Sequence, residues 1–312
     1  MQATPQKPVS SLGKFVVWFG ELTTPSRLYR RGLWFLLPAV VWILALLVIP
    51  GLALVALSFA ERGQYGNVLW HWNLENYSRL LGYGIFGWSP DTIFILLRSI
   101  WVAFVTTLIC VVLAYPLAFF IATRPARTRY LWLALVIIPF WTNLVIRTYA
   151  WQMLLSPEFP FAKVAHALGI IPADGALYPS AFAVYIGMIT AFLPFVVMPL
   201  FSSVERLDWS LVEAAQDLYS NRVRTFFQGI WPQTLPGLTV GIILTFIPAM
   251  GMFVIPDLLG GAKYLLVGNL IQQQFYSSRD YPYGAAVSLG LMILTLFGLA
   301  IYRRRGQGVE LV

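Results

Sequence analysis

Six apolar stretches, at about 34–59, 97–122, 131–155, 180–202, 238–259 and 284–302, dominate this sequence. Each approaches or exceeds the ~20 residues that cross ~30 Å of hydrocarbon at ~1.5 Å rise. Lipid offers no hydrogen-bond partners, so only helices or closed barrels can cross it. Nothing here alternates like a barrel strand. The fold class that follows is all-α: a polytopic membrane protein with six transmembrane helices. Composition agrees, because 11% charged residues falls well short of the ~25% of a soluble domain. The first stretch ends in Ser58-Phe59-Ala60, loosely like a cleavage site. Its apolar run is far longer than the ~7–15 residues of a signal h-region, which makes it an uncleaved anchor.

Placing the N-terminus inside makes 1–33, 123–130, 203–237 and 303–312 the inner segments. They hold fourteen of the 21 Lys/Arg residues and six of the thirteen acids. The formal charge of +8 is thereby all on the inner face, and the outer face is neutral. Lys/Arg asymmetry sets orientation, so both the 1–33 tail and the 303–312 tail are expected in the cytoplasm.

Most enzyme chemistry is excluded. The chain has no Gly-rich phosphate loop, HExxH, CxxC or GxSxG. One cysteine, Cys110, and two histidines, His71 and His166, cannot build a Cys or His-rich metal centre. No catalytic residue, metal, cofactor or nucleic-acid partner is expected. Cys110 reads as packing, the histidines as surface residues, and Glu158, Asp174 and Asp280 as solvated loop charges. Pairs of intramembrane carboxylates, which proton-coupled pumps need, are missing. Transport energy must come from a partner.

Two spans are unusual. Residues 138–151 read IPFWTNLVIRTYAW, placing Pro139, Asn143 and Arg147 on one face of the third span. A central arginine costs at least ~2.5–3.5 kcal/mol. Either Arg147 snorkels outward while Asn143 caps backbone freed by the proline, or this face lines a polar path. In the second case Trp141 and Tyr149 add aromatic faces suited to cations. Residues 246–261, FIPAMGMFVIPDLLGG, combine Pro248, Pro256, Gly251, Gly260, Gly261 and Asp257. Such interruptions are tolerated where neighbours or a cavity satisfy the backbone. Asp257 either pairs with Arg147 or attracts a cation.

The inner segment 203–237 reads as two short helices: 210–218, capped by Asp208, and a basic stretch through Arg224 to Gln228, closed by Pro232 and Pro236. Glu213-Ala214-Ala215 opens it, and Pro232 follows nineteen residues after the glutamate. This resembles the EAA loop of type I ABC importer permeases, which forms the coupling helix inserted into the ATPase subunit. Three of seven pattern positions differ: Tyr219 for Gly, Gly229 for Ile and Trp231 for Leu. With Tyr219 in the glycine position, Asn221 is expected to take the left-handed turn. The stretches DWSLVEAAQDL, IPFWTNLVIRTY, 246–269 and SRDYPYGAA are similar to the spermidine/putrescine branch, first of its two permease subunits. Iron, thiamine and opine branches share parts of them.

The resemblance covers about 34–304 and implies the type I ABC importer permease fold. It makes 95–302 the transport core and 34–59 an added first helix. It implies four kinds of partner: a second permease subunit, two ATP-binding subunits, an external substrate-binding protein and the bilayer of the bacterial inner membrane. Glu213, Ala214, Ala215, Asp217, Tyr219, Arg222, Arg224 and Pro232 would couple to the ATPase, the two arginines as salt partners. Trp141, Asn143, Arg147, Tyr149 and Asp257 are the candidates for the substrate path. Two competing readings are the same machinery carrying an iron complex, thiamine or another organic cation, and a stand-alone carrier or channel. The last leaves the amphipathic inner loop without a purpose.

Overall fold

The computed structural model describes residues 25–84, 87–167, 176–217, 221–261 and 264–306. In chain order the helices are α1 (Pro25–Ser58), α2 (Glu75–Leu80), α3 (Asp91–Ala122), α4 (Ala126–Trp141), α5 (Leu144–Leu154) and α6 (Pro160–Ala167). There follow α7 (Ala181–Glu205), α8 (Trp209–Asp217), α9 (Arg222–Thr225), a π-turn (Phe226–Ile230), α10 (Trp231–Met250), α11 (Val254–Gly260), α12 (Val267–Tyr276) and α13 (Tyr281–Gly306). The chain divides within α1 into two units, Met1–Ala56 and Leu57–Val312.

Among the described residues, five helices are long and apolar enough to cross a membrane, and α4 with α5 makes a sixth span if taken as one. The all-α expectation holds, and the expected six spans are reached with α4 and α5 counted together. α1 is a single helix through Pro38 and Pro50, and its stretch Leu36–Ser58 is apolar enough to cross a membrane.

The centre of the second unit is α3, α7 and α10 packed against one another. Small residues let them approach. A Cβ on Gly237 would lie within 2.3 Å of the Pro199 carbonyl oxygen, and one on Gly241 within 3.0 Å of the Val196 Cα. This four-residue glycine spacing on α10 is the device by which membrane helices gain van der Waals contact when water supplies no hydrophobic drive. Cys110, Ala114 and Ala118 of α3 meet Met188, Val196 and Leu200 of α7 in the same core. Cys110 is fully buried, as packing requires.

Two span boundaries differ from expectation. The third span is not continuous: Thr142 is extended (ψ 147°) and α4 and α5 meet at 91°. Pro139, Asn143 and Arg147 therefore do not share one helix face. Thr and Asn side chains compete for backbone hydrogen bonds at this point and end the helix. The fifth span begins earlier than 238 and stops at Gly251, while 254–260 forms α11. Pro232 and Pro236 do not close a loop. The π-turn before them reaches five residues back, Trp231 N–H to the Phe226 carbonyl, and the helical run 222–251 passes through both prolines.

Outside the spans, residues 59–90 build a lobe that the sequence pattern did not announce. Two short antiparallel pairs, β1 (Glu61–Arg62) with β2 (Val68–Leu69) and β3 (Tyr83–Gly84) with β4 (Gly87–Trp88), flank α2. Asn76, buried, donates to the Ser58 and Ala60 carbonyls. Arg79 reaches Asp280 at 2.9 Å and lies over the Tyr283 ring. Asp280 is 2% exposed, so its reading as a solvated loop charge is corrected: it is half of an ion pair that ties the lobe to the start of α13. Glu158 and His71 are exposed. Asp174 and the side chain of His166 lie outside the described residues.

Candidate functional site

The 203–237 loop is built around α8. Asp208 caps it as expected: its Oδ1 accepts the Ser210 amide at 3.0 Å and the Ser210 hydroxyl at 2.7 Å. Those two donors hold the Asp208 carboxyl below the usual carboxylate range. Val212 is the buried residue of α8, whereas Glu213, Ala214 and Asp217 are exposed and Ala215 is half-buried. The Glu-Ala-Ala group is thus presented outward by a helix anchored on its opposite face. Two small alanines beside one carboxylate form a low surface that another protein can approach closely.

The return segment starts at Asn221. Its backbone is extended (φ −71°, ψ 163°), and its side chain accepts from the Arg224 amide at 2.8 Å. It does not take a left-handed turn; it is the N-cap of α9, a role its short amide fills better. Arg222 and Arg224 are exposed. Among the described residues neither forms an ion pair with an acid of this chain. Tyr219 lies outside the described residues.

Of the two departures near Pro232, Trp231 acquires a packing role. Gly229 lies under α8, where a Cβ would sit 3.9 Å from the Val212 Cα, an ordinary contact that a small side chain could make. Trp231 stacks on Tyr115 of α3 at 5.6 Å with rings 6° apart. The Tyr115 hydroxyl and Thr234 share a hydrogen bond of 2.8 Å. Sequence reasoning missed three contributors here. Gln233 joins α8 to α10: its Oε1 accepts the Asp208 amide at 3.0 Å and its Nε2 donates to the Gly229 carbonyl at 2.8 Å. Arg129 of α4 pairs with Glu205 at the end of α7 at 2.6 Å. No local pattern marks these residues, since their partners are four to 76 positions away.

The second constellation is the α4–α5 break. Asn143 caps α5, its Oδ1 accepting the Val145 amide at 2.8 Å. The Pro139 carbonyl, left without a helical partner, accepts from the Thr142 hydroxyl at 2.6 Å and from Arg147 Nη1 at 2.9 Å. Arg147 thereby places its charge at the negative end of α4. It is not paired with Asp257 among the described residues. α5 packs beside α11, which brings the elements bearing Tyr149 and Asp257 side by side. Trp141 is 80% exposed and Tyr149 49%; Asp257, in the first turn of α11, is exposed as well. The break therefore presents two aromatic rings and, from the neighbouring helix, one carboxylate. Asn269 fixes the approach to α11 by donating to the Phe253 carbonyl at 2.9 Å.

No protein-family model matches the chain. It is 41% identical over 266 residues to the spermidine/putrescine transport system permease protein PotB of Escherichia coli (strain K12), covering 85% of this chain and 94% of that protein. Among solved structures it resembles a bacterial ABC transporter that imports the acidic polysaccharide alginate. The TM-score is 0.62 at 18% identity, over 92% of this chain and 99% of that one. A bacterial alginate ABC transporter in complex with alginate pentasaccharide-bound periplasmic protein matches with a TM-score of 0.59 at 16% identity, over 92% of this chain and 97% of that one.

Proposed function

Because the chain belongs to the family of PotB-type transport system permease proteins, we propose that it is the polyamine permease subunit of an ATP-driven importer. The observation that carries this reading is the 41% identity extending over 94% of the relative. A multi-pass inner-membrane permease, it forms half of the translocation path with a second permease subunit. Two ATP-binding subunits bind at the inner face, and a periplasmic binding protein delivers spermidine or putrescine outside. Both termini are cytoplasmic.

The inner loop 203–237 couples the path to the ATPase. Glu213, Ala214 and Ala215 enter the ATPase surface, Asp217, Tyr219, Arg222 and Arg224 surround that contact, and the run through Pro232 carries its movement into the fifth span. Trp141, Tyr149 and Asp257 line this chain's half of the path, where aromatic faces and a carboxylate attract a polycation. Asn143 and Arg147 hold the bend that presents them.

The reading is tested by reconstituting the four-component complex in proteoliposomes. Spermidine or putrescine, delivered by the cognate binding protein, should accumulate only with ATP. Uptake of an iron complex or thiamine instead would replace the substrate, and transport by the isolated chain without ATP would overturn the whole reading. Ala214→Glu adds a bulky charge to the contact surface. It should abolish uptake while the protein remains in the membrane, and uptake at the wild-type rate would remove coupling from this loop.

A further inference from the structure

Coupling through α8 requires a rigid connection from that helix to a span, and contact alone does not provide one. α8 follows α7 through the short turn at Arg206–Leu207–Asp208, and its far end leads to residues outside the described set. The Gln233 side chain supplies a second attachment. Its amide is satisfied in one orientation: the oxygen takes the Asp208 N–H and the nitrogen donates to the Gly229 carbonyl. Asp208 is itself the cap of α8, so the first turn of the coupling helix is pinned to the start of α10. Both partners lie where the helix is unusual. The Gly229 carbonyl belongs to the π-turn, and wide turns of this kind concentrate at functional sites. Directly beside Gln233, Thr234 and Trp231 engage Tyr115 of α3.

We propose that Gln233 is a positioning residue of the coupling step, clamping the first turn of α8 to the π-turn below α10, so that displacement of α8 is passed to α10 and α3. This rests on the reading of α8 as the ATPase-contacting helix. Gln233 touches neither substrate nor nucleotide; it acts through Asp208 and Gly229. Without it α8 keeps its cap and its Val212 anchor but can tilt about them. ATP hydrolysis would then continue with less of its movement reaching the path.

The test uses the full complex in proteoliposomes, with spermidine uptake and ATP hydrolysis measured together and normalised to assembled complex. Gln233→Leu keeps approximate size and removes both hydrogen bonds. Losing about 1 kcal/mol of fixation corresponds to about a fivefold drop in uptake per ATP, with hydrolysis itself little changed. Gln233→Glu keeps the acceptor for the Asp208 amide but sets a carboxylate oxygen against the Gly229 carbonyl in place of a donor, so its uptake per ATP should fall at least as far as that of Gln233→Leu; it also serves if the leucine variant fails to assemble. Unchanged uptake per ATP in either variant, or uptake and hydrolysis falling in proportion, overturns the clamp. Amide exchange at Ser210 and Leu211 is a readout independent of the transported molecule. It should quicken about fivefold in Gln233→Leu; unaltered exchange rejects the clamp even if the substrate proves not to be a polyamine.

Discussion

Asp280 holds three groups at once: the Arg79 guanidinium, the Tyr283 amide through its carboxylate, and the Gly284 amide through its own carbonyl. Asp280→Ala removes the first two. It should cost about 2 kcal/mol in detergent melts, below the ~3–5 kcal/mol of a fully buried pair because Arg79 keeps 32% of its side chain exposed. Asp280→Asn retains an acceptor for Tyr283 and should lose less. The sequence placed this acid among solvated loop charges because its partner is 201 residues away; no local spacing carries that information. Asp208 is the opposite case, legible because its partner is two residues on. Its pKa is depressed by Ser210, so its contribution to α8 is present above the unfolded value of ~3.9 and is lost as pH falls through the lower folded value. The Ser210 amide should therefore be better protected from exchange in wild type than in Asp208→Asn at neutrality, where only wild type carries the charge. The two should converge below the carboxylate range, where the wild-type carboxylate is protonated and the variant has no charge to lose; equal exchange at neutral pH would remove the charge from the cap.

At the scale of elements, the α4–α5 break was half legible. Pro139, Asn143 and Arg147 marked the third span as irregular, and the alternative in which Asn143 caps backbone is the local geometry observed. What the sequence could not supply was the competition at Thr142 and Asn143, where two side chains satisfy the backbone better than another helical turn would. Asn143→Ala should cost about 1 kcal/mol through loss of the cap, and Asn143→Ser should restore most of it in a thermal melt and in uptake. A serine variant that is stable yet inactive would place Asn143 in the path itself. The 203–237 loop shows the same division. Its first helix and cap follow from the run after Asp208. The helical continuation through Pro232 depends on a π-turn, and a turn five residues deep leaves no periodic mark in so short a segment.

For the whole molecule, lipid makes the spans legible and water hides the rest. A helix in hydrocarbon has no alternative, so apolar runs suffice to count the crossings. The 59–90 lobe uses strands of two residues each, too short for any period, and is fixed by contacts with α13. Orientation is tested by fusion: a fluorescent protein at the C-terminus should fold in the cytoplasm, and alkaline phosphatase inserted at Asn67 should be active outside. The reverse pattern would invert the charge argument. Cys110 has a practical consequence on the same scale. It is the sole cysteine of the chain and has no exposed surface, so the natural protein already behaves as its own thiol-free background. A cysteine introduced anywhere on the 203–237 loop or the 59–90 lobe would be the only sulfhydryl of this chain that a reagent can reach. Spectroscopic labels could then follow α8 and the α4–α5 bend through a transport cycle without first disturbing the tightly packed helix in which Cys110 sits.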